Sequence, residues 1–373
     1  MGLALSRQAR LTAAPSSSNT SRICMNPIIG SVVIGPHSCL TGWVFDVVKR
    51  LASNGVGRPV KHIDRDYIID VDRDGTRPIY ITNYPSPSII DAIDSGDIDV
   101  ILIVEAPHDV TAYLMRILNM TLVQAIRSYT ATSVANLAIG RAKSVLVLDR
   151  DSDTPVSQML RKLVLQLDLL SGNEDVVAAA GDLIRPYRAN ATASLENVLE
   201  ARADSYAPRH NRSPYTQKTN STDLIISEVL DPLIAMAQGP AIRPVIWPAS
   251  VFEFGDKPGE PPPKVADVSG PSRNLYFGPY LHLPPARYRV EALLRFSEEI
   301  KDVPFTIEVH GATFLANVKI EHREKGAYRG YFIFDHVDPV ATLEIRMRND
   351  LEIPHGWLSL IELRFFVVET CLT

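Results

Sequence analysis

The polar residues best placed for chemistry follow the first apolar run of the chain, at residues 29–34. Such a run predicts a buried strand, and the apolar spacing over residues 41–52 predicts a helix directly after it. A helix start presents unpaired backbone N–H groups and the positive end of the helix dipole, which suit phosphate or sulfate. A plain strand-to-helix turn is the alternative. The candidate ligand-binding residues of this loop are Gly35, Pro36, Ser38, Cys39, Leu40, Thr41 and Gly42.

Two histidines are the candidate catalytic residues. His37 lies inside the loop and could replace a lysine or arginine there if protonated; the alternative is a neutral ring bonded to backbone. His108 follows the apolar run at residues 100–104, where ligands collect in open α/β sheets; the alternative is an ordinary helix start. The pattern Gly-x-x-x-x-Gly-Lys-Ser/Thr is absent, which excludes an ordinary nucleotide triphosphatase.

A third candidate site lies in the aromatic stretch at residues 276–288. Tyr280, His282 and Arg287 combine an aromatic ring with polar and charged groups, which suits stacking on a sugar and hydrogen bonds to its hydroxyls. The alternative is that Tyr280 is a core residue and the neighbouring prolines shape a turn. No metal site is predicted, because the histidines do not repeat at ligand spacings and the aspartates over residues 64–74 alternate with arginines.

The elements that must position the first two sites are buried strands separated by helices. Further strands are predicted at residues 79–82, 100–104 and 144–148, and helices at residues 110–118 and 156–170. Continuous apolar runs alternating with helices indicate a parallel sheet buried on both faces. We therefore expect an α/β domain over residues 27–204.

The C-terminal part of the chain changes to a period of two. Six strands are predicted at residues 288–296, 305–310, 314–321, 330–334, 342–348 and 359–368. Turn residues separate them at short intervals, which indicates an antiparallel β-sandwich over residues 265–373. Residues 205–264 are expected to form a linker with one helix, at residues 224–237, and residues 1–26 a disordered tail in which Met25 is an alternative start.

The composition excludes several classes of protein. The chain has 373 residues, 46% of them apolar and 22% charged, as in ordinary globular proteins. Its net charge of −5 gives no electrostatic support for a nucleic-acid partner. No apolar run is long enough to predict a membrane span, and three cysteines do not make a disulfide framework, so we expect a cytoplasmic protein. The sequence leaves the oligomeric state open.

Four segments, taken together, resemble the sulfotransferase family over about residues 27–172. Gly-Pro-His-Ser-Cys-Leu-Thr at residues 35–41 resembles its Gly-x-Pro-Arg-Ser-Gly-Thr loop, and residues 80–86 resemble its Lys-Thr-His-Tyr-Pro strand end. Residues 104–110 resemble its Arg-Asp-Pro-Arg-Asp-Val turn, and residues 145–170 its closing strand, turn and helix. The resemblance implies a P-loop-like α/β fold and a sulfate donor, 3′-phosphoadenosine 5′-phosphosulfate.

The sequence departs from the family at the residues that bind the donor. His37 replaces the cationic loop residue, and Asn83 replaces the histidine base; Asn83 and the retained Tyr84 are therefore candidate substrate-binding residues. Glu105 and Tyr113 stand where the family has an Arg and a Ser on the 3′-phosphate. A desolvated carboxylate beside a phosphate is repulsive. The resemblance thus supports the fold and does not carry over the donor chemistry.

The stretch at residues 276–288 resembles a β-sandwich module of bacterial polysaccharide-related glycosyltransferases. The resemblance covers about residues 245–368 and implies a glycan or glycan precursor as partner. The first functional hypothesis is a sulfotransferase-like enzyme acting on a bacterial surface polysaccharide or its precursor. The second is a non-catalytic glycan-binding or assembly protein that keeps the transferase fold as a scaffold. A nucleotide-binding regulator that uses only the loop is a third and weaker hypothesis.

Overall fold

The computed structural model describes residues 30–55, 60–62, 77–139, 144–149, 154–169, 220–238 and 243–370. The expected tail, the aspartate-rich stretch at residues 64–74 and residues 205–219 of the expected linker lie outside the described residues. We refer to residues 30–169 as the α/β region and to residues 243–370 as the β-rich region.

The α/β region contains a five-stranded sheet in which every neighbouring pair is parallel. Its order is β2-β3-β1-β4-β5, so the strand that leads into the glycine-containing loop is central. The continuous apolar runs form these strands, as expected for a sheet that is buried on both faces. The strands are β1 (Gly30–Ile34), β2 (Val60–His62), β3 (Ile79–Thr82), β4 (Ile98–Val104) and β5 (Val145–Asp149).

Helices cover both faces of this sheet. They are α1 (Cys39–Gly55), α2 (Pro87–Ser95), α3 (Pro107–Ile117), α4 (Leu122–Ile139) and α5 (Val156–Gln166). Val33 and Ile101 pack with α1 and α5 on one face, whereas Val32 and Leu102 pack with α2 and the end of α4 on the other. Alternate residues of each strand thus enter opposite cores.

Helix α4 was not predicted, because its apolar residues do not follow a single stripe. Ala125, Ile126 and Tyr129 enter the core that includes the β-rich region, while Ile139 packs against the parallel sheet. A helix packed on two sides loses the one-sided periodicity from which helices are recognised in sequences. Helix α2 was also not predicted; Ser86 caps it and Gly96 ends it.

The described part of the expected linker contains two helices where one was predicted. Helix α6 spans Asn220–Val229 and α7 spans Asp231–Gln238. Pro232 explains the break, because a proline has no N–H to donate and its ring disfavours a continuous helix through this position. Strands also form here, since residues 245–248 and 253–254 pair with strands of the β-rich region. The boundaries of the domains stay predictions.

The β-rich region contains two antiparallel sheets. One has the order β14-β11-β16-β6 with β8 beside β16, and the other has the order β13-β12-β15-β9-β7 with β10 beside β15. The strands are β6 (Val245–Pro248), β7 (Glu253–Phe254), β8 (Ala266–Asp267), β9 (Asn274–Phe277), β10 (Pro279–Leu281), β11 (Ala286–Phe296), β12 (Phe305–His310), β13 (Phe314–Ile320), β14 (Gly326–His336), β15 (Leu343–Asn349) and β16 (Trp357–Thr370).

Strict alternation along β11 shows how these sheets bury one face. Tyr288, Val290 and Phe296 are buried, while Arg289 and Arg295 between them are exposed. The buried residues of both sheets share one hydrophobic core, which also takes in residues of α3, α4, α6 and α7. The six predicted strands all correspond to observed ones, and the missed strands β6 to β10 have two to four residues each. Among the described residues, no helix is both long and apolar enough to cross a bilayer.

Candidate functional site

The loop between β1 and α1 is buried and closes on itself through its own hydroxyl groups. The backbone N–H of Thr41 donates to Ser38 Oγ at 3.0 Å, and Ser38 Oγ donates to Thr41 Oγ1 at the same distance. Ser38 therefore caps α1. Cys39 and Leu40 belong to the hydrophobic core under α1. Among the predicted loop residues, the hydroxyls thus organise the loop, and these two side chains pack beneath it.

Gly35 is required at the start of the loop because no side chain fits there. A Cβ atom at this position would lie 2.5 Å from Thr41 Oγ1 and 2.8 Å from Ile103 Cβ. The carbonyl oxygen of Gly35 accepts a hydrogen bond from Asn83 Nδ2 at 2.8 Å. Asn83 therefore acts as a brace between the loop and the end of β3.

His37 lies against the residues that follow β3. Its half-buried ring is 5.5 Å from the ring of Tyr84, at an interplanar angle of 58°. The Tyr84 hydroxyl is hydrogen-bonded to Ser128 Oγ on α4 at 2.7 Å, and the Tyr84 backbone is bonded to Thr82 Oγ1. The structure thus brings the predicted residues His37, Asn83 and Tyr84 together at the carboxyl edge of the sheet.

The neighbouring strand end, after β4, carries a buried acid. Glu105 is only 3% exposed, and its carbonyl oxygen accepts a hydrogen bond from the Tyr129 hydroxyl at 3.3 Å. Burial raises the pKa of Tyr113, and the charges of Cys39 and Glu105 raise it further. Burial also raises the pKa of Tyr129. Neither Glu105 nor Tyr113 supplies a cation for an anionic ligand at this strand end.

His108 is in a different environment from His37. It lies in the first turn of α3, its side chain is 45% exposed, and Nδ1 is 3.8 Å from the Asp223 carboxylate on α6. His37 contacts the β3 loop instead. The two predicted catalytic histidines thus lie against different elements.

Tyr280 and His282 lie against α4. The Arg127 guanidinium stacks over the Tyr280 ring at 5.0 Å, and the Tyr280 hydroxyl donates to Glu344 at 3.1 Å. Burial and the Glu344 charge raise the pKa of Tyr280 to about 12. His282 is buried, and its backbone N–H is 3.4 Å from Thr130 Oγ1 on α4.

Arg287 lies on the exposed side of β11, 3.7 Å from Asp335 on β14. The sequence grouped it with Tyr280 and His282, which pack against α4. Arg127 covers one face of the Tyr280 ring. Of Tyr280, His282 and Arg287, only Arg287 lies on an exposed sheet face.

Sequence reasoning missed the residues of α4 that join the two regions. Arg127 Nε donates to the Pro279 carbonyl at 2.6 Å, and its Nη2 is 2.8 Å from Glu253. Ser128, the next residue, holds Tyr84. The only signal was a single cation within a weakly polar stretch at residues 122–139, which no motif singles out. In the described ranges, no three His, Cys, Asp or Glu side chains are grouped to hold a metal ion.

Comparisons with known proteins found similarity of structure alone. No family model and no curated protein matches the chain. A mouse sulfotransferase in complex with PAP is 13% identical, with a TM-score of 0.32, over 54% of this chain and 87% of that chain.

Carbohydrate-binding modules are also among the similar structures. One, in complex with β-1,4-galactotriose, has a TM-score of 0.21 and 14% identity over 26% of this chain and 66% of that one. Another comes from a multidomain xylanase of the Trinervitermes trinervoides hindgut metagenome, with a TM-score of 0.23 and 8% identity over 33% of this chain and 95% of that one.

Proposed function

We propose that the protein is a sulfotransferase-like protein that acts on or binds a glycan, with the donor group at the loop after β1. In this proposal the α/β region is P-loop-like and the β-rich region is a sandwich that holds the glycan. The observation that carries it is the position of the loop at the carboxyl end of the central strand of a parallel sheet. Open α/β sheets bind ligands where the strand order reverses, as it does between β1 and β4.

The loop suits a phosphate or sulfate group for electrostatic reasons. It leads into a helix of 17 residues, whose N-terminus carries partial positive charge. His37 lies inside it and is the residue that could add a full charge. The need for glycine at position 35 fits a loop with no room for a larger residue. Since neither Glu105 nor Tyr113 supplies a cation for a 3′-phosphate beside β4, the proposal gives only the phosphosulfate of the donor to the loop.

For transfer, neutral His37 is the assigned base, so its full positive charge arises only as it takes the hydroxyl proton. The sulfur–oxygen bond to the donor phosphate breaks, a new bond forms between sulfur and an acceptor hydroxyl oxygen, and the hydroxyl proton passes to the His37 imidazole. Asn83 cannot take this proton, and its amide is engaged with Gly35. Tyr84 lies beside His37 and would contact the acceptor. His108 is assigned no step, because it lies against α6.

Two observations favour the second candidate, a non-catalytic scaffold that binds glycan. Asn83 braces the loop instead of providing a base, and Glu105 is buried where the resemblance implies a cation for the donor. Both residues stand where the resemblance implies groups that the transfer needs, and neither residue provides them. This candidate keeps the glycan site and requires no donor.

Calorimetric titration with 3′-phosphoadenosine 5′-phosphate tests the proposal. We expect the wild-type chain to bind, His37→Ala to weaken binding by about tenfold, and His37→Arg to retain it, because one charge-assisted contact is worth about 1.5 kcal/mol. His108→Ala is the matched control and should bind like the wild type. If the wild type does not bind this ligand but binds glycan, the non-catalytic scaffold replaces the sulfotransferase-like enzyme as the proposed function.

A further inference from the structure

The exposed face of the sheet that contains β11 presents an aromatic ring within a group of charged side chains. In the register of β14 and β11, Tyr331 lies directly opposite Glu291, and Arg329 and Ile333 flank it on the same face. In the register of β11 and β16, Arg289 lies opposite Phe366. We call Arg289, Glu291, Arg329, Tyr331 and Phe366 the Tyr331 face.

Tyr331 is accessible although it lies in the middle of a long strand. Its side chain is 74% exposed, and that of the neighbouring Ile333 is 47% exposed. Directly paired residues of an antiparallel pair share one face, so the ring stands beside the carboxylate of Glu291. A large aromatic group held outward by a paired strand offers a flat apolar surface at little cost in conformational freedom.

The charges around the ring are unequal. Arg289 Nη2 lies 3.3 Å from Oε1 of the Glu291 carboxylate. Arg329 Nε lies 4.0 Å from Oε2 of the same carboxylate. Its own side chain is only 16% exposed, whereas that of Arg329 is 62% exposed. Two guanidinium groups thus converge on one carboxylate, which leaves one positive charge beside the ring.

The second aromatic residue of the face is already covered. The Arg289 guanidinium lies 4.7 Å from the centroid of the Phe366 ring, which orients this arginine toward Glu291. Cation–π contact and the ion pair hold the same side chain from two directions. Arg289 is therefore fixed, and Arg329 keeps donors for a ligand.

We propose that the Tyr331 face binds an acidic glycan, with a sugar ring stacked on Tyr331 and its carboxylate or sulfate group bonded to Arg329. Aromatic rings stack on the apolar face of a sugar, and a guanidinium donates two parallel hydrogen bonds to a carboxylate or a sulfate. This inference rests on the proposed function, since it names the glycan class and the surface that the β-rich region uses.

Titration of the full-length chain with three oligosaccharides tests this inference. The probes are oligogalacturonate, which carries carboxylates, chondroitin sulfate oligosaccharide, which carries sulfate as well, and neutral cellohexaose. We expect at least one acidic probe to bind at least tenfold more tightly than cellohexaose, with an affinity that falls as salt is added. The two acidic arms distinguish a carboxylate requirement from a sulfate requirement.

Single substitutions assign the binding to the face. Tyr331→Ala should weaken binding of the acidic probe by about tenfold, while Tyr331→Phe, which keeps the ring, should stay within about twofold. Arg329→Gln should weaken binding of the acidic probe and leave the affinity for cellohexaose unchanged. Phe314→Ala is the matched control, because Phe314 is 57% exposed on a strand of the other sheet.

Three outcomes would overturn the inference. The first is equal affinity for the acidic and neutral probes, and the second is unchanged binding of the acidic probe by Tyr331→Ala. The third is a concentration-dependent dimer that Tyr331→Ala converts to monomer, because the face would then bind a second copy of the chain. The loop is tested separately by 3′-phosphoadenosine 5′-phosphate. If the chain does not bind 3′-phosphoadenosine 5′-phosphate but binds the acidic glycan, the donor site is rejected and the proposal for the Tyr331 face stands.

Discussion

The two regions of the molecule place their reactive groups by opposite rules. The parallel sheet is covered by helices on both faces, so its polar residues lie at strand ends, in the loop at residues 35–38 and around Asn83 and Glu105. The antiparallel sheets expose one face, so polar and aromatic residues lie along the strands, as on β11 and β14. A site is therefore found in the first region by looking for strand ends, and in the second by working out which residues share a face.

The largest effect that tests this comparison should come from Gly35→Val. The added side chain must displace Thr41 and Ile103, and overpacking in a rigid core costs about 3 kcal/mol. Urea unfolding measures this loss of stability, and the binding of 3′-phosphoadenosine 5′-phosphate that we propose for the loop should be lost as well. Gly330→Val on β14 is the control, since nothing lies within 4 Å of a Cβ there. Equal losses in the two variants would contradict the special role of strand ends.

The next effect should come from Arg127→Met, which removes the contact between the regions. The change leaves Glu253 and the Pro279 carbonyl without their arginine and should lower the free energy of unfolding by about 2 kcal/mol. Arg161→Met, on the exposed side of α5, is the matched control. If both variants unfold at the same urea concentration, the two regions are not coupled through α4.

A smaller effect is expected for Tyr84→Phe. This change removes the hydrogen bond to Ser128 and keeps the ring beside His37, so stability should fall by about 1 kcal/mol. Thermal unfolding measures it, with Tyr331→Phe as the control, because the Tyr331 ring lies in solvent. A larger loss from Tyr331→Phe than from Tyr84→Phe would reverse the comparison.

The smallest effect should be a pH dependence inside the β-rich region. His322 is buried and stacked on Phe296 at 3.9 Å, and burial lowers its pKa from 6.5 although Asp302 opposes this. The unfolded chain therefore binds the proton first, and stability falls as the pH drops below about 6.5. His322→Phe should remove this part of the acid sensitivity and be nearly neutral at pH 8. Parallel stability curves for both proteins between pH 8 and pH 5 would refute the prediction.

The strands of both regions could be predicted because their patterns are local. Continuous apolar runs predicted β1, β3, β4 and β5, and alternation predicted the six long strands of the β-rich region. The short strands β7 and β8 have two residues each, too few to show any period. Helix α4 is apolar on more than one side, and its sequence therefore carries no single stripe.

The placement of the candidate residues could be predicted where it depends on strand ends, and it was missed where it depends on tertiary contacts. The position of His37, Asn83 and Tyr84 follows from their place after β1 and β3 in a parallel sheet. Tyr280 was predicted to bind substrate because it belongs to a motif. Its ring lies against Arg127, whose position no local sequence pattern reveals. Tyr331 was not singled out, because its neighbours on the sheet face depend on a strand register, which pairs it with Glu291.

Helix α4 has a consequence for how such a chain is inherited. Its Ser128 is hydrogen-bonded to Tyr84 in the α/β region and its Arg127 donates to Pro279 in the β-rich region, so adjacent residues contact opposite halves of the molecule. Recombination that replaced either half by a homologous segment would break one of these contacts unless residues 127–130 and 279–282 changed in concert. We therefore expect the two halves to be inherited together. Chimaeric proteins should fold only when helix α4 and the strand it contacts come from the same parent.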